Sequence, residues 1–246
     1  MTSVVEKSAQ LVGRPRKVSY EQIIAAALQV MEQDGFAALS MRSLARQLGI
    51  NHATIYNYVG SIAEVEQAAL DELMKQIPMP DKSCDKPMRQ QLIEHMLAVH
   101  ETQLLFPSFC HAPPGTRTWQ LHMGCMARIL DACTDSVEQI EDTAIAYNAL
   151  ISLAATNAER SRMSGDKTPI KPYLEAMSEL TAEEYEPLFR PLRHNGGYTR
   201  RLSDFVYRLD YLIERLLPHF PALEEVTLEQ IHRRFTDSRA AKQSAK

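Results

Sequence analysis

Between Asn51 and Tyr58 the chain reads N-H-A-T-I-Y-N-Y, which puts the hydrogen-bonding tips of Asn51, His52, Thr54, Tyr56, Asn57 and Tyr58 within eight residues. Carboxamides, hydroxyls and an imidazole at that density suit base edges and phosphate oxygens, both of which take directed hydrogen bonds. Core packing explains such a run poorly. Thr54, Tyr56 and Asn57 are expected to reach the groove or backbone of a duplex, His52 to contribute from the helix start, and Tyr58 to bond a phosphate. Arg42 should meet the backbone from the start of the preceding helix, and Arg14, Arg16 and Lys17 should reach along a groove or its phosphates. Arg46 can equally be a solvated charge.

A second group of reactive types falls between residues 95 and 125: His95, His100, His111 and His122 with Cys110 and Cys125. Their spacings match no zinc signature, and His95 and His100, five apart, point about 140° apart on a helix, so no metal and no other cofactor is expected. The chain has no G-x-S-x-G, H-E-x-x-H, G-x-x-x-x-G-K-[ST] or G-x-G-x-x-G. S-x-x-K occurs at Ser83 to Lys86 and at Ser164 to Lys167, in segments that read as loops without supporting motifs, and the carboxylates spread over helix faces without an acid/base pair. The residues therefore do not read as an enzyme. Cys84, Cys110, Cys125 and Cys133 form no C-x-x-C pair and read as free thiols.

The polar run needs a scaffold, and S-M-R-S-L-A-R-Q-L-G-I-N from Ser40 to Asn51 supplies one. Ser40, counted with the DNA-facing residues, caps a helix on which Met41, Leu44, Ala45 and Leu48 recur at helical spacing. Gly49 ends it in the left-handed conformation, Ile50 plugs the turn from beneath, and Asn51 caps a second helix whose Ala53, Ile55 and Val59 face inward. That is a helix-turn-helix, whose second helix suits a major groove. Tyr20, Ile23, Ile24, Ala27, Leu28 and Met31 form a stripe on a third helix that roofs the pair, ahead of a turn at Asp34-Gly35.

With its basic lead-in from Gly13 to Lys17, a helix ending in D-G-F and the ordered motif to Tyr58, the chain resembles the tetracycline-repressor (TetR/AcrR) family of bacterial transcription regulators, over about residues 14 to 75. Family members usually carry a lysine at the start of the fourth helix, where this chain has Ile62. Ser61 can cap that helix and offer its hydroxyl and the free amides of the helix start to a phosphate instead.

Net charge is −4 overall, yet residues 1 to 60 carry +2, from Lys7, Arg14, Arg16, Lys17, Arg42 and Arg46 against Glu6, Glu21, Glu32 and Asp34, which leaves −6 for the remainder. Positive charge is thus concentrated where a DNA backbone would be met. No segment approaches the roughly 18 apolar residues of a membrane span and the N-terminus lacks a signal-peptide core, so a cytoplasmic protein without membrane contact is expected.

The fold is expected to be all-α, with an N-terminal three-helix helix-turn-helix domain over 14–76 and a helical ligand-binding and dimerisation domain over 87–235. Ile62, Val65, Ala69 and Leu73 pack one side of the fourth helix, and the run from Ile77 to Pro87 divides the two domains. Beyond it, helices are read at about 87–105, 116–133, 136–163, 170–180 and 198–217, with residues 1–12 and 236–246 disordered. Leu202, Phe205, Val206, Leu209, Leu212, Ile213 and Leu216 make a broad apolar stripe, and the helix at 136–163 carries Ala144, Ala146, Ala149, Ser152, Ala154, Ala155 and Ala158, which permit close helix approach. Resemblance to the family implies that these two helices meet their copies in a homodimer that reads a palindromic double-stranded operator. It also implies release by a small molecule. A hydrophobic or aromatic effector is expected among Met96, His100, Leu104, Phe109, Trp119, His122, Met123, Met126, Tyr147 and Ile151. A ligand-responsive dimeric repressor is the leading reading; the alternative is a small-molecule, metal-binding or adaptor protein that keeps the three-helix head without operator recognition.

Overall fold

The structure is a computed structural model that describes residues 18–107, 109, 112–164 and 204–244. Among these residues the chain is helical throughout, without a strand. Helix α1 spans Tyr20–Asp34 and is set by a reciprocal cap: Ser19 Oγ accepts from the Gln22 amide at 3.2 Å while Gln22 Oε1 accepts from the Ser19 amide at 2.8 Å. A short 3₁₀ turn, Phe36–Ala38, leads to α2 (Met41–Leu48), α3 (His52–Ile55) and α4 (Ile62–Gln76). Ile23, Ile24, Ala27 and Met31 of α1 close over Leu44, Ile55, Val59, Val65 and Ala69, forming the core of the head.

A second core is built around α5 (Met88–Leu105), with α6 (Arg117–Cys133), α7 (Glu138–Ser164), α8 (Phe205–Leu216) and α9 (Glu225–Ser244). Helix α5 packs most extensively on α7 and also meets α8, α4 and α1. Helix α4 belongs to both cores, since Val65 and Ala69 face the head while Leu70 faces the body.

Three expectations are corrected. The apolar stripe on α8 faces inward: Phe205, Val206, Leu209 and Ile213 are buried in the chain's own core, Leu212 and Leu216 pack at its edge, and Leu202 lies outside the described residues. Alone in a sequence, such a stripe looks like a surface awaiting a copy, but here α5, α7 and α9 supply its neighbours. Its helix begins at Phe205 after an extended Asp204, which interrupts the expected 198–217 span; residues 198–203 lie outside the described residues. Residues 236–244, read as disordered, continue α9, which is anchored by Leu228, Ile231 and Phe235 at spacings of three and four. The helix expected at 170–180 lies outside the described residues.

Helix α5 also buries polar groups, and these fix its neighbours. Arg89 is buried, its Nε donates to Asp210 Oδ1 at 2.7 Å and its Nη2 to the Asp210 carbonyl at 3.0 Å, which pins α5 to α8; Glu214 Oε2 stands 3.7 Å away. Two residues on, Gln91 accepts from the Asp81 amide at 2.8 Å and donates to the carbonyls of Asp81 (3.1 Å) and Lys86 (2.8 Å). His95, four residues on and on the same face, donates from Nδ1 to the Pro78 carbonyl at 2.8 Å. Lys82 holds the same segment to the end of α6 through the Thr134 carbonyl (2.6 Å) and Asp135 (2.7 Å). The segment between α4 and α5 is a clamped strap.

Asp210→Ala leaves the Arg89 guanidinium buried without its carboxylate, so stability should fall by about 3 kcal/mol, at the lower end of such losses because Glu214 is near. The double variant Arg89→Met/Asp210→Leu, read by urea denaturation, should recover most of that loss. Burial holds the His95 imidazole down to about 4, against the ordinary 6.5. The unfolded chain therefore takes up more protons than the folded chain as pH falls from about 6.5 to about 4, and acid destabilises the fold across that window. Thermal melts from pH 7 to 4.5 should show Tm falling more steeply in the native chain than in His95→Leu.

Candidate nucleic-acid interface and buried polar core

The polar run from Asn51 is presented by local chemistry that the sequence dictates. Ser40 and Ser43 cap α2 reciprocally: the Ser43 amide donates to Ser40 Oγ at 3.1 Å and the Ser40 amide to Ser43 Oγ at 2.9 Å. Gly49 takes φ 64° and ψ 33°, a left-handed conformation that costs a Cβ-bearing residue, and this turn lets the Ile50 amide reach the Ala45 carbonyl at 3.0 Å. Asn51 Oδ1 accepts from the Ala53 amide at 2.9 Å and starts the next turn. The regular α-helix is only His52–Ile55; Tyr58 and Val59 amides return to the Ile55 carbonyl at 2.9 and 3.1 Å and carry the coil onward as tighter turns.

Ile55 and Val59 anchor this element in the head core. The opposite side presents His52, Tyr56 and Asn57 to solvent, with Thr54 half-buried and the Tyr56 ring 55% exposed. Arg42 stands exposed on α2, as does Arg46, whose guanidinium lies 3.8 Å from Asp34 across an exposed pair. Arg14, Arg16 and Lys17 lie outside the described residues. Tyr58 departs from expectation in part, because it is half-buried and packs against the head core.

Two further residues are corrected. Ala53, expected to face inward, is exposed beside His52, so its methyl joins the outer surface, where it suits contact with a thymine methyl. A residue without a polar tip gives no signal of that kind in a sequence. At the start of α4, Ser61 Oγ accepts from the Glu64 amide at 3.2 Å and the Gly60 amide donates to Glu64 Oε2 at 2.7 Å. The Ser61 oxygen expected to meet a phosphate thus caps the Glu64 amide, and a carboxylate stands beside the helix start, where it repels an anion.

The residues expected to line a ligand pocket divide into two groups. Phe109, His122 and Tyr147 come together between α5, α6 and α7: the His122 ring stacks on Tyr147 with centroids 6.4 Å apart and meets Phe109 edge-on at 5.8 Å. His95 joins them from α5, its Nε2 accepting from the Tyr147 hydroxyl across 3.4 Å. Since the Pro78 carbonyl can only accept, His95 carries its proton on Nδ1 and turns the bare Nε2 to Tyr147. Burial lowers the His122 imidazole below its ordinary value, and its buried Nδ1 has no hydrogen-bond partner among the described residues. Met96 and Ile151 are buried nearby in the same apolar core, while Leu104, Trp119, Met123 and Met126 are half-buried.

His100 belongs elsewhere. Its ring lies against Phe205 at 4.9 Å and Phe235 at 5.7 Å, and its Nε2 accepts from Asn157 at 3.0 Å, whose Oδ1 in turn takes Arg208 at 2.6 Å. The wide angle between His95 and His100 on α5 has sent them into different polar clusters. A groove of about 430 Å³ on the α7 side is lined by Gln103, Pro107, Ser152, Ala155, Thr156, Glu159, Arg160 and Arg162, none of the residues expected to hold a ligand. Cys125 and Cys133 are buried free thiols, Cys133 pushed up to about 12 by desolvation, and Cys84 is an exposed free thiol; Cys110 and His111 lie outside the described residues. Among the described residues, no three His, Cys, Asp or Glu side chains converge on a common point. No helix there is long and apolar enough to cross a membrane.

Known proteins match this arrangement at two scales. The profile for bacterial regulatory proteins of the tetR family matches residues 23–69, from α1 into α4. The HTH-type transcriptional repressor BdcR of Escherichia coli is 35% identical over 94 residues, covering 37% of this chain and 48% of its own length. The uncharacterized HTH-type transcriptional regulator Rv0681 of Mycobacterium tuberculosis is 36% identical over 62 residues, covering 25% of this chain and 28% of its own. The chain thus spans about half or less of the curated relatives it matches. Over the longer range, the TetR regulator SCO7222 of Streptomyces coelicolor superposes with a TM-score of 0.57 at 16% identity, across 83% of this chain and all of that one. Apo ActR of the same organism superposes with a TM-score of 0.55 at 19% identity, across 82% of this chain and 96% of that one. These two likenesses concern the fold alone. The head of the chain thus matches the tetR family of bacterial regulatory proteins in sequence over residues 23–69, and most of the chain shares the fold of SCO7222 and ActR.

Proposed function

We propose that the chain is a homodimeric, ligand-responsive DNA-binding transcription regulator, acting as a repressor on a palindromic operator. The observation that carries this reading is the outward surface of residues 52–57 on a rigid apolar base: imidazole, methyl, hydroxyl, phenol and carboxamide stand together with Arg42 on the neighbouring helix. Bases are read by such tips and phosphates by such cations. BdcR, matched over 94 residues, is named a transcriptional repressor, which supports the same sign here.

One such short element reads few base pairs, so specificity calls for two heads about one helical turn apart, roughly 34–36 Å. The outer face of α7 supports pairing with a second copy. Ile145, Asn148, Ser152, Thr156 and Met163 lie exposed along it at spacings of three, four and seven. Asn148 donates to the Ala144 carbonyl and Ser152 to the Asn148 carbonyl, both at 2.8 Å, so the Ser152 hydroxyl proton and one Asn148 N–H are already satisfied within the helix. The stripe of alanines beside them keeps the face shallow.

The effector reading rests on the Phe109, His122 and Tyr147 cluster, whose rings suit an aromatic molecule and whose buried His122 Nδ1 suits a polar substituent on it. Occupancy there would have to favour a head spacing that does not fit the operator.

Duplexes selected from a random pool by the purified chain should converge on a palindrome. Thr54→Ala and Tyr56→Ala should each weaken the selected site by roughly 10-fold or more while leaving Tm within about 1 °C, since Tyr56 is exposed and Thr54 is only half-buried. Failure of the folded chain to enrich any sequence would instead favour a ligand-binding or adaptor role. Trp119 is the single tryptophan and sits half-buried on α6 beside the aromatic cluster's helix, so its fluorescence should shift on titration with planar aromatic acids and phenols. His122→Phe, read by the same titration, should weaken the response about 10-fold for polar-substituted rings and hardly at all for bare ones.

A further inference from the structure

Resting on the DNA-binding reading above, we propose that His95 is a positioning residue that sets the angle of α4, and with it the recognition element, by tying the exit of that helix to Tyr147 at the centre of the body. The head meets the body through the packing of α1 on α5 and of α4 on α5 and α6, and through two contacts at its edges. One is aromatic: Phe36, just after α1, meets Phe106, at the end of α5, edge-on with centroids 5.1 Å apart. The other is the strap after α4, where Ile77 is buried and the Pro78 carbonyl takes the His95 Nδ1 proton at 2.8 Å.

Apolar packing lets a helix tilt by small amounts, and a directed bond at one end limits that freedom. Phe36 against Phe106 makes a pivot because an apolar edge contact tolerates small rotations. The Pro78 bond does not, since a hydrogen bond weakens steeply with angle. Prolines at 78 and 80 bring no amide protons of their own, so the carbonyls are the polar groups through which this stretch can be held. Gln91 fixes the next part of the strap from the same face of α5, so that among the described residues the His95 bond is the side-chain hydrogen bond to the strap nearest the end of α4.

Behind it, the Tyr147 hydroxyl reaches Nε2 across 3.4 Å, a long bond beside a short one. Tyr147 also stacks on His122. Whatever moves the Tyr147 ring therefore moves the imidazole that holds α4, and the displacement arrives at the exit of the helix that carries Val65 and Ala69 into the head core.

The test uses the full chain with His95→Leu, which fills similar space without a donor, and His95→Asn, whose amide places an N–H where Nδ1 stood. Binding to the duplex selected by the native chain is measured together with hydrogen exchange of the amides of residues 62–77. His95→Leu should bind roughly fivefold or more weakly and exchange faster along α4, and His95→Asn should restore both toward native values despite its smaller size. Native binding and native exchange in folded His95→Leu would overturn the assignment. So would His95→Asn behaving like His95→Leu, because packing alone would then account for the site. Should the native chain select no duplex, the regulator reading fails, and the exchange of α4 alone decides whether His95 restrains it.

Discussion

Polar burial on α5 is the constraint from which the rest of the body follows. Arg89, Gln91, His95, His100, Thr102 and Gln103 are all buried on this one helix, around an apolar set of Leu92, Ile93, Met96 and Val99. A buried polar atom left without a partner costs on the order of 1–3 kcal/mol, so each of these residues dictates what must stand opposite it. Arg89 requires Asp210, His95 requires a carbonyl from the strap, and His100 requires Asn157. Apolar packing would allow α7 and α8 to slide along α5 at small cost, whereas directed bonds give the bundle one register.

The head is organised differently. Its elements are short and are defined locally, by serine and asparagine caps and by one glycine in the left-handed region, while a small apolar core holds them together. Such a unit can keep its shape while its seat on the body changes. Helix α4 makes this division of labour workable, since its apolar residues divide between the head core and the body core.

The difference in construction explains what was legible in the sequence. Ser40, Gly49 and Asn51 announce their conformations through chemistry confined to a few neighbours, so the helix-turn-helix could be read from spacing alone. The exposed run from His52 to Asn57 was legible for the same reason, though Ala53 was not, having no tip to betray its direction. In the body, partners lie far apart in the chain. Arg89 and Asp210 are separated by 121 residues, and nothing local marks either as buried. Phe205, Val206, Leu209 and Ile213 make an apolar stripe whose periodicity is the same whether it faces a copy or the chain's own core. The anchors of α9 were readable at Leu228, Ile231 and Phe235, but they are sparse among charges and the helix outruns them.

Glu64 changes what the head can ask of a duplex. By folding back onto the Gly60 amide, its carboxylate sets a negative charge beside the start of α4, where it opposes the approach of a phosphate. Each phosphate neutralised by a protein releases condensed cations from the nucleic acid, and the number released sets how steeply affinity falls with ionic strength. A head with fewer such contacts gives up some of its grip on arbitrary sequence. It also loses less of its affinity as ionic strength rises, and its discrimination among sites comes to rest more heavily on the hydroxyl, phenol and carboxamide of residues 54–57.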